Sequence, residues 1–568
     1  MNVNMLENGT QLGGLKTKTV ALDELLPRLG HPGKFQVITF LLLALNYFFV
    51  CFNHVCMAFY GSTPKHQCED SAIVNGNTTV LGVTHGKCTT SYILGNGQNT
   101  TITCKADPKG MWSYTPYSDR ETTIIMEWDL VCDDVYMGKL ATTIYFLGVM
   151  TGGLVFGHIA DIFGRKWTML VCLYAPVAIG IGIYFVTTFA GFAALRFFQG
   201  VFIQGLQTST VALVMEIAVR EYRGLAIAVF ECYWGAGVLI LGGLAYFIQT
   251  WRYIQLAITL PPILLVFYIC WVPESLRWLV MKGRFDEAEH VVKRIAKFNK
   301  LPYPADIMAA IRKEGVPFQD KTRKQYTALD LMKTSVTRNR TFLLLFLWFT
   351  TSIGYYGLTL QITSLAGDKY LNFFIGSMVE MVSYICVIYI IKPFGRRKPL
   401  AFYFLLGGCC CILAGIIPFF GSGDDIAKAS TSFAIIGRFG MAGVFSVILL
   451  YTSELYPTVI RSIGMGCCFF LTRVGGLLAP QILLLGDYTH SSVPVIAFGV
   501  LAVIGGFCTL ILPETLGRKL PDTIEEAVNI RGKKILTNPD NTDNIHGDKD
   551  PKGKNQAVNQ GFSEDTHM

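Results

Sequence analysis

The sequence predicts an all-α membrane protein: twelve transmembrane helices arranged as two pseudo-symmetric six-helix bundles. Three observations lead there. Of the 568 residues, 52% are hydrophobic and only 15% charged, against about 25% charged in a soluble chain, and the mean hydropathy is +0.43. Apolar mass on this scale cannot all be folded inward, so much of it faces lipid. Next, the chain contains twelve apolar windows of about 20 residues, the length that crosses a hydrocarbon core. Finally, short motifs recur between its two halves. This composition excludes a disordered chain, a collagen and a soluble nucleic-acid binder; the net charge of +8 comes from basic residues beside the spans.

In chain order, residues 1–36 form a polar, basic cytoplasmic segment (Lys16, Lys18, Arg28, Lys34) with no signal-peptide pattern. The first bundle, 37–272, holds spans at Val37–Tyr60, Val135–His158, Trp167–Phe189, Ala193–Val219, Leu225–Ile248 and Tyr253–Val272. A linker, 273–340, is rich in Lys and Arg, and its segment Phe285–Phe298 places Ala288, Val291, Val292, Ile295 and Phe298 on one face of an amphipathic helix. The second bundle, 341–512, holds spans at Thr341–Ile362, Leu371–Ile391, Leu400–Phe420, Thr431–Thr452, Ile463–Leu485 and Val493–Leu512. Residues 513–568 have the polar composition of a cytoplasmic, largely disordered tail. Lys and Arg mark the cytoplasmic side, which puts both termini and the linker inside.

The segment 61–133 between the first two spans is net acidic and falls outside. It carries the sequons at Asn77 and Asn99, and four cysteines, Cys68, Cys88, Cys104 and Cys132. An even cysteine set in an oxidising compartment predicts two disulfides, in any of three connectivities. A multi-pass, glycosylated protein of the plasma membrane fits these features.

The repeat lies at the cytoplasmic ends. Gly164-Arg165-Lys166 follows the second span and Gly395-Arg396-Arg397 the eighth; Glu216 and Arg223 close the fourth, and Glu454 and Arg461 the tenth. Arg196 and Arg438 open those same two spans. Two matching halves facing each other across a central cavity are an architecture of alternating-access transport. Carboxylates and guanidinium groups at helix ends can latch those ends together, so Asp161, Arg165, Glu216, Arg223, Glu454 and Arg461 are read as a gating network. Gly148, Gly152, Gly153 and Gly157 in the second span would permit the close helix approach that sliding halves need. A receptor would more typically show seven spans without a repeat. A channel would need rings of charge or carbonyls, and no catalytic constellation indicates an enzyme.

The run Gly157-His158-Ile159-Ala160-Asp161-Ile162-Phe163-Gly164-Arg165-Lys166 resembles the loop signature of the major facilitator superfamily. Further blocks resemble the organic cation, anion and zwitterion (carnitine) transporter family of solute carriers. They are Ala21-Leu22-Asp23-Glu24-Leu25-Leu26 through Phe35-Gln36, Trp128-Asp129-Leu130-Val131-Cys132, Pro273-Glu274-Ser275-Leu276-Arg277-Trp278-Leu279, Thr452-Ser453-Glu454-Leu455-Tyr456-Pro457-Thr458 and Leu512-Pro513-Glu514-Thr515. The likeness implies a major facilitator fold that moves a small organic ion across a lipid bilayer, with no cofactor, no metal and no nucleic-acid partner.

Ionisable groups inside spans mark functional candidates: Glu231, Glu380 and Arg473, with Tyr384, Gln207, Trp348 and Tyr355 near them in the sequence pattern. Lys139, near an outer span end, reads as snorkelling. Aromatic faces attract organic cations and cover the apolar parts of a substrate. The resemblance places Trp348, Tyr355, Glu380, Glu231 and Trp234 on the central cavity. It also gives Arg473 where cation carriers have Asp and anion or carnitine carriers have Arg, and Tyr384 where carnitine carriers have Tyr. An Arg fork would hold a carboxylate while the glutamates and aromatics receive a cationic end, which points to a zwitterion. An organic anion is the alternative, a pure cation the third, and a non-transporting receptor a remote one. Sodium is a candidate coupling ion, and a potential-driven facilitated carrier fits equally; His54 is the one histidine well within a span.

Overall fold

The computed structural model describes residues 24–30, 32–68, 80–94, 99–104, 112–314, 327–421 and 423–518, together with 521 and 526. Asn77 and the ends of the chain, 1–23 and 527–568, lie outside the described residues. Within them are 12 helices long and apolar enough to cross a membrane. We number these spans in chain order: 1 (Lys34–Tyr60), 2 (Cys132–Phe163), 3 (Arg165–Phe185), 4 (Phe189–Ile217), 5 (Arg223–Ile248), 6 (Trp251–Trp271), 7 (Ser335–Ser364), 8 (Lys369–Phe394), 9 (Arg397–Phe420), 10 (Asp424–Leu455), 11 (Arg461–Tyr488) and 12 (Ser492–Ile511). Helices dominate because a segment in lipid must satisfy its backbone groups internally. Two of their starts are capped by short polar side chains. Thr188 caps span 4 by accepting from the Gly191 amide, and Asp368 caps span 8 by accepting from the amides of Tyr370 and Leu371.

The all-helical expectation leaves out one small β region. In the segment between spans 1 and 2, β1 (Lys65–Cys68) pairs antiparallel with β5 (Trp112–Thr115), and β2 (Val80–His85), β3 (Thr89–Leu94) and β4 (Asn99–Thr103) form a three-stranded antiparallel sheet. Disulfides Cys68–Cys104 and Cys88–Cys132 staple it, which selects one of the three possible connectivities. A region with so little core needs such staples. Asn99 begins β4 with an exposed side chain.

Spans 1–6 and spans 7–12 each enclose an apolar core. A smaller aromatic cluster of Tyr145, Phe146, Tyr355 and Tyr356 joins the two at the centre. On the face opposite the β region, which we call the linker face, Leu25, Leu26, Leu29 and Phe35 pack on the helix Phe285–Asn299 through Ala288, Val292 and Ile295. The Asn299 side chain ties the two by accepting from the Phe35 amide at 2.9 Å and donating to Gln36 Oε1 at 2.9 Å.

Two expectations about small and basic residues change here. Gly148 and Gly152 do approach a helix closely, but it is span 4 of the same half. A Cβ there would sit 2.1 Å from the Phe197 carbonyl and 2.2 Å from that of Val201. Gly153 has only the Gln204 side chain nearby, and nothing lies within 4 Å of a Cβ at Gly157. Gly148 and Gly152 therefore tighten one half rather than form the sliding surface, and Gly153 and Gly157 make no close helix approach. Arg196 and Arg438 lie well inside their spans, which start at Phe189 and Asp424, and are 0% and 1% exposed, so neither opens its span.

Candidate functional site

On the linker face the sequence repeat becomes a geometric one. The Arg165 guanidinium reaches Glu216 at 3.2 Å and Asp161 at 2.8 Å, and the Arg396 guanidinium reaches Glu454 at 3.0 Å. A second carboxylate completes each unit. Glu274 accepts from the amides of Arg165 (2.9 Å) and Lys166 (3.0 Å), and Glu514 from those of Arg396 (2.9 Å) and Arg397 (3.2 Å). Each thus neutralises the positive end of a helix, at span 3 or span 9. The turns that make this possible sit at Gly164 and Gly395, at φ +105° and +82°, where a Cβ would lie 2.4 Å from Glu274 and 2.6 Å from Glu514. Glycine is required on both counts.

The units therefore lock helices within each half. Asp161, Arg165 and Glu216 come together as expected of a network, and Glu454 meets Arg396 rather than Arg461. Arg461 donates to the Tyr456 carbonyl at 3.2 Å, and Arg223 opens span 5. Glu274, Glu514 and Arg396 belong to the units although only their motifs, not their roles, were read from sequence. Their signal was the matched position of Pro-Glu-Ser and Pro-Glu-Thr after spans 6 and 12.

At the midplane the charged residues separate into two kinds. Glu380 in span 8 and Arg438 in span 10 form a fully buried ion pair at 2.7 Å. The other Glu380 oxygen accepts from the hydroxyls of Tyr355 (2.6 Å) and Tyr384 (2.8 Å), and Trp234 donates its indole N–H to Tyr355 at 2.6 Å. Glu380 is thus a neutralised hub rather than an open cation site, with Tyr355 and Tyr384 as its ligands. Trp348 also departs from the expected lining. It is 1% exposed, its indole donates to Thr452 at 2.9 Å, and its ring sits against Phe445 and Phe469.

Glu231 and Arg473 are different. Both are half-buried, and each bridges the two halves through a neutral partner: Glu231 accepts from Ser446 Oγ, and Arg473 donates to Gln207 Oε1 at 2.9 Å. Among the described residues neither has an ion-pair partner. Arg196 is a third charge without one. It donates to Gln199 and to the Asn53 carbonyl, and its guanidinium lies 4.1 Å from the Tyr145 ring centroid. The Tyr145 hydroxyl in turn lies 3.0 Å from His54 Nδ1, and the His54 ring is surrounded by Tyr145, Phe146, Trp234 and Tyr356.

Other contacts between the halves gather at the face carrying the β region, the loop face. There Lys369 pairs with Glu121, Tyr117 donates to Asp368, and Thr363 donates to the Ala58 carbonyl at 2.9 Å. Rings of Phe59, Tyr246 and Tyr117 pack on Tyr370.

Known proteins resemble the chain in sequence and in fold. Residues 70–526 match the sugar (and other) transporter family. Human solute carrier family 22 member 13 is 30% identical over 566 residues, which cover 95% of this chain and 98% of that one. Human organic cation/carnitine transporter 2 is 30% identical, covering 92% and 96%. Organic anion transporter 3 of Pongo abelii is 32% identical, also covering 92% and 96%. Among solved structures, the inward-open form of the xylose transporter XylE from E. coli superposes with a TM-score of 0.61 at 14% identity, over 87% of this chain and 99% of that one. With twelve spans, a repeated carboxylate–arginine unit and relatives along nearly its whole length, the chain belongs to solute carrier family 22 of the sugar (and other) transporters.

Proposed function

We propose that this protein is a polyspecific organic ion transporter of the plasma membrane that works by alternating access and favours zwitterions carrying an amine and a carboxylate. The observation that carries the zwitterion preference is the pair Glu231 and Arg473. One negative and one positive group stand half-buried at the midplane, each held only by a neutral side chain. A carboxylate can replace Gln207 on the Arg473 fork with a charge-assisted contact, and an ammonium group can take the place of Ser446 at Glu231. Trp234, half-buried and one turn along span 5 from Glu231, supplies aromatic surface beside it. Relatives named for organic cations with carnitine and for organic anions support this substrate range.

Orientation follows the basic linker: the linker face is cytoplasmic, with both termini, and the loop face is extracellular, with Asn77 and Asn99 as glycan acceptors. The joined loop-face ends then describe a carrier closed to the outside. In the transport cycle those contacts break as the halves rock, while the linker-face units keep each half rigid. A second reading, an organic anion carrier, draws on Arg196. Glu380 cancels Arg438, and Glu231 is outweighed by Arg473 and Arg196, so the centre carries a positive excess that disfavours a simple cation.

The test is uptake of three labelled probes in cells expressing the chain: a carnitine-like zwitterion, tetraethylammonium and para-aminohippurate, each with and without external sodium. Zwitterion uptake above the other two supports the reading, and its sodium dependence identifies the coupling ion. Aminohippurate alone selects the anion reading. Tetraethylammonium alone refutes both.

A further inference from the structure

We propose that the loop face holds a second solute site, separate from the midplane charges, that takes a small zwitterion while the loop-face ends of the two halves are joined. A cavity of about 570 Å³ opens there, lined by the ends of spans 1, 7, 9 and 11 and the starts of spans 2, 10 and 12. Its size lies within the range of small-molecule sites. Two charges of opposite sign line it, Lys139 from the first half and Asp487 from the second. They act on each other electrostatically, yet among the described residues neither forms an ion pair or a hydrogen bond. The wall also carries the hydroxyl side chains of Thr363, Thr431 and Ser491 and the amide of Gln361. An ammonium group facing Asp487 and a carboxylate facing Lys139 would satisfy both charges at once, whereas a simple ion would satisfy one.

The floor of this vestibule leads toward the buried pair. Gln361, Leu365 and Val495 line both the vestibule and a cavity of about 10 Å³ beneath it, which Arg438 closes from below. That space suits about one water molecule. The Gln361 side-chain Oε1 and Arg438 Nη1 are both buried there without a partner among the described residues, an acceptor and a donor that one water can bridge. Because residues of both halves form the site when their loop-face ends meet, a bound zwitterion favours that state by its differential affinity.

The test uses the purified full chain in lipid nanodiscs, with Ser364 on the vestibule wall replaced by cysteine (Ser364→Cys). Its modification by a small charged thiol reagent is timed by mass spectrometry, with glycine betaine as the probe. At about ten times its Kd, the probe should slow modification at position 364 about tenfold by simple occupancy. Adding Lys139→Ala or Asp487→Asn should abolish the slowing, while Arg473→Ala or Glu231→Gln at the midplane should leave it. Unslowed modification overturns the proposal. So does protection that survives loss of Lys139 and Asp487, or that disappears with either midplane variant, since the effect would then come from the central site.

Discussion

Replacing Glu380 by glutamine asks what the buried carboxylate is for. In the structure it carries both Arg438 contacts and accepts from Tyr355 and Tyr384, with Glu380 and Arg438 0% and 1% exposed. Glu380→Gln keeps an acceptor for the tyrosines but leaves a guanidinium uncompensated in a low-dielectric interior. Breaking a buried pair from one side costs about 3–5 kcal/mol. The purified variant should therefore unfold at clearly lower temperature. The double variant Glu380→Gln with Arg438→Met should recover most of the loss, because an apolar side chain in place of the unpaired charge removes its desolvation cost. Thermal unfolding of the four proteins in one detergent gives the coupling energy. A Glu380→Gln protein of wild-type stability, combined with a raised KM for amine-bearing substrates only, would refute the hub and make Glu380 a substrate ligand.

Three further outcomes follow from other parts of the molecule. Glu231→Gln should weaken inhibition by tetraalkylammonium ions about tenfold or more, the worth of one charge-assisted contact of about 1.5–3 kcal/mol, and leave para-aminohippurate inhibition unchanged; equal effects on both would contradict the assignment. Gly395→Ala forces a Cβ to within 2.6 Å of Glu514 at φ +82° and should destabilise by more than about 1 kcal/mol, whereas Gly224→Ala, with nothing within 4 Å, should be neutral or stabilising in thermal unfolding. Lys369→Ala removes the partner of Glu121 across the loop face. Spin labels at Tyr136 and Tyr488, both exposed, should then report longer distances as the loop-face ends separate; an unaltered distribution would show that this contact does not hold them.

Much of the fold was legible because lipid imposes a length and a composition on each span. The predicted Val37–Tyr60 and Leu225–Ile248 differ from the observed Lys34–Tyr60 and Arg223–Ile248 only where basic residues extend the first turn. The β region escaped because strands such as Asn99–Thr103 are short and polar, and their order depends on disulfide staples rather than on hydrophobic alternation. At the midplane the sequence exposes which residues are ionisable, not which ones meet. Glu380 and Glu231 look alike in the chain, and only the crossing of spans 8 and 10 shows that one is neutralised. Arg438 lies fourteen residues into span 10 (424 to 438), so its reading as a residue that opens the span followed from placing the span start at Thr431, too late. Lys139 looked like a snorkelling residue for a related reason: a span read singly does not show that spans 7 and 9–12 build a cavity around its tip.

The central claim is that Arg473 and Glu231 receive opposite ends of one substrate. The most direct measurement compares Arg473→Asp with wild type for uptake of a carnitine-like zwitterion and of tetraethylammonium, with surface expression matched. The account predicts that zwitterion KM rises about 10- to 100-fold, from loss of a contact worth about 1.5–3 kcal/mol, while tetraethylammonium transport is kept or improved. Zwitterion uptake at unaltered KM in the variant would contradict it.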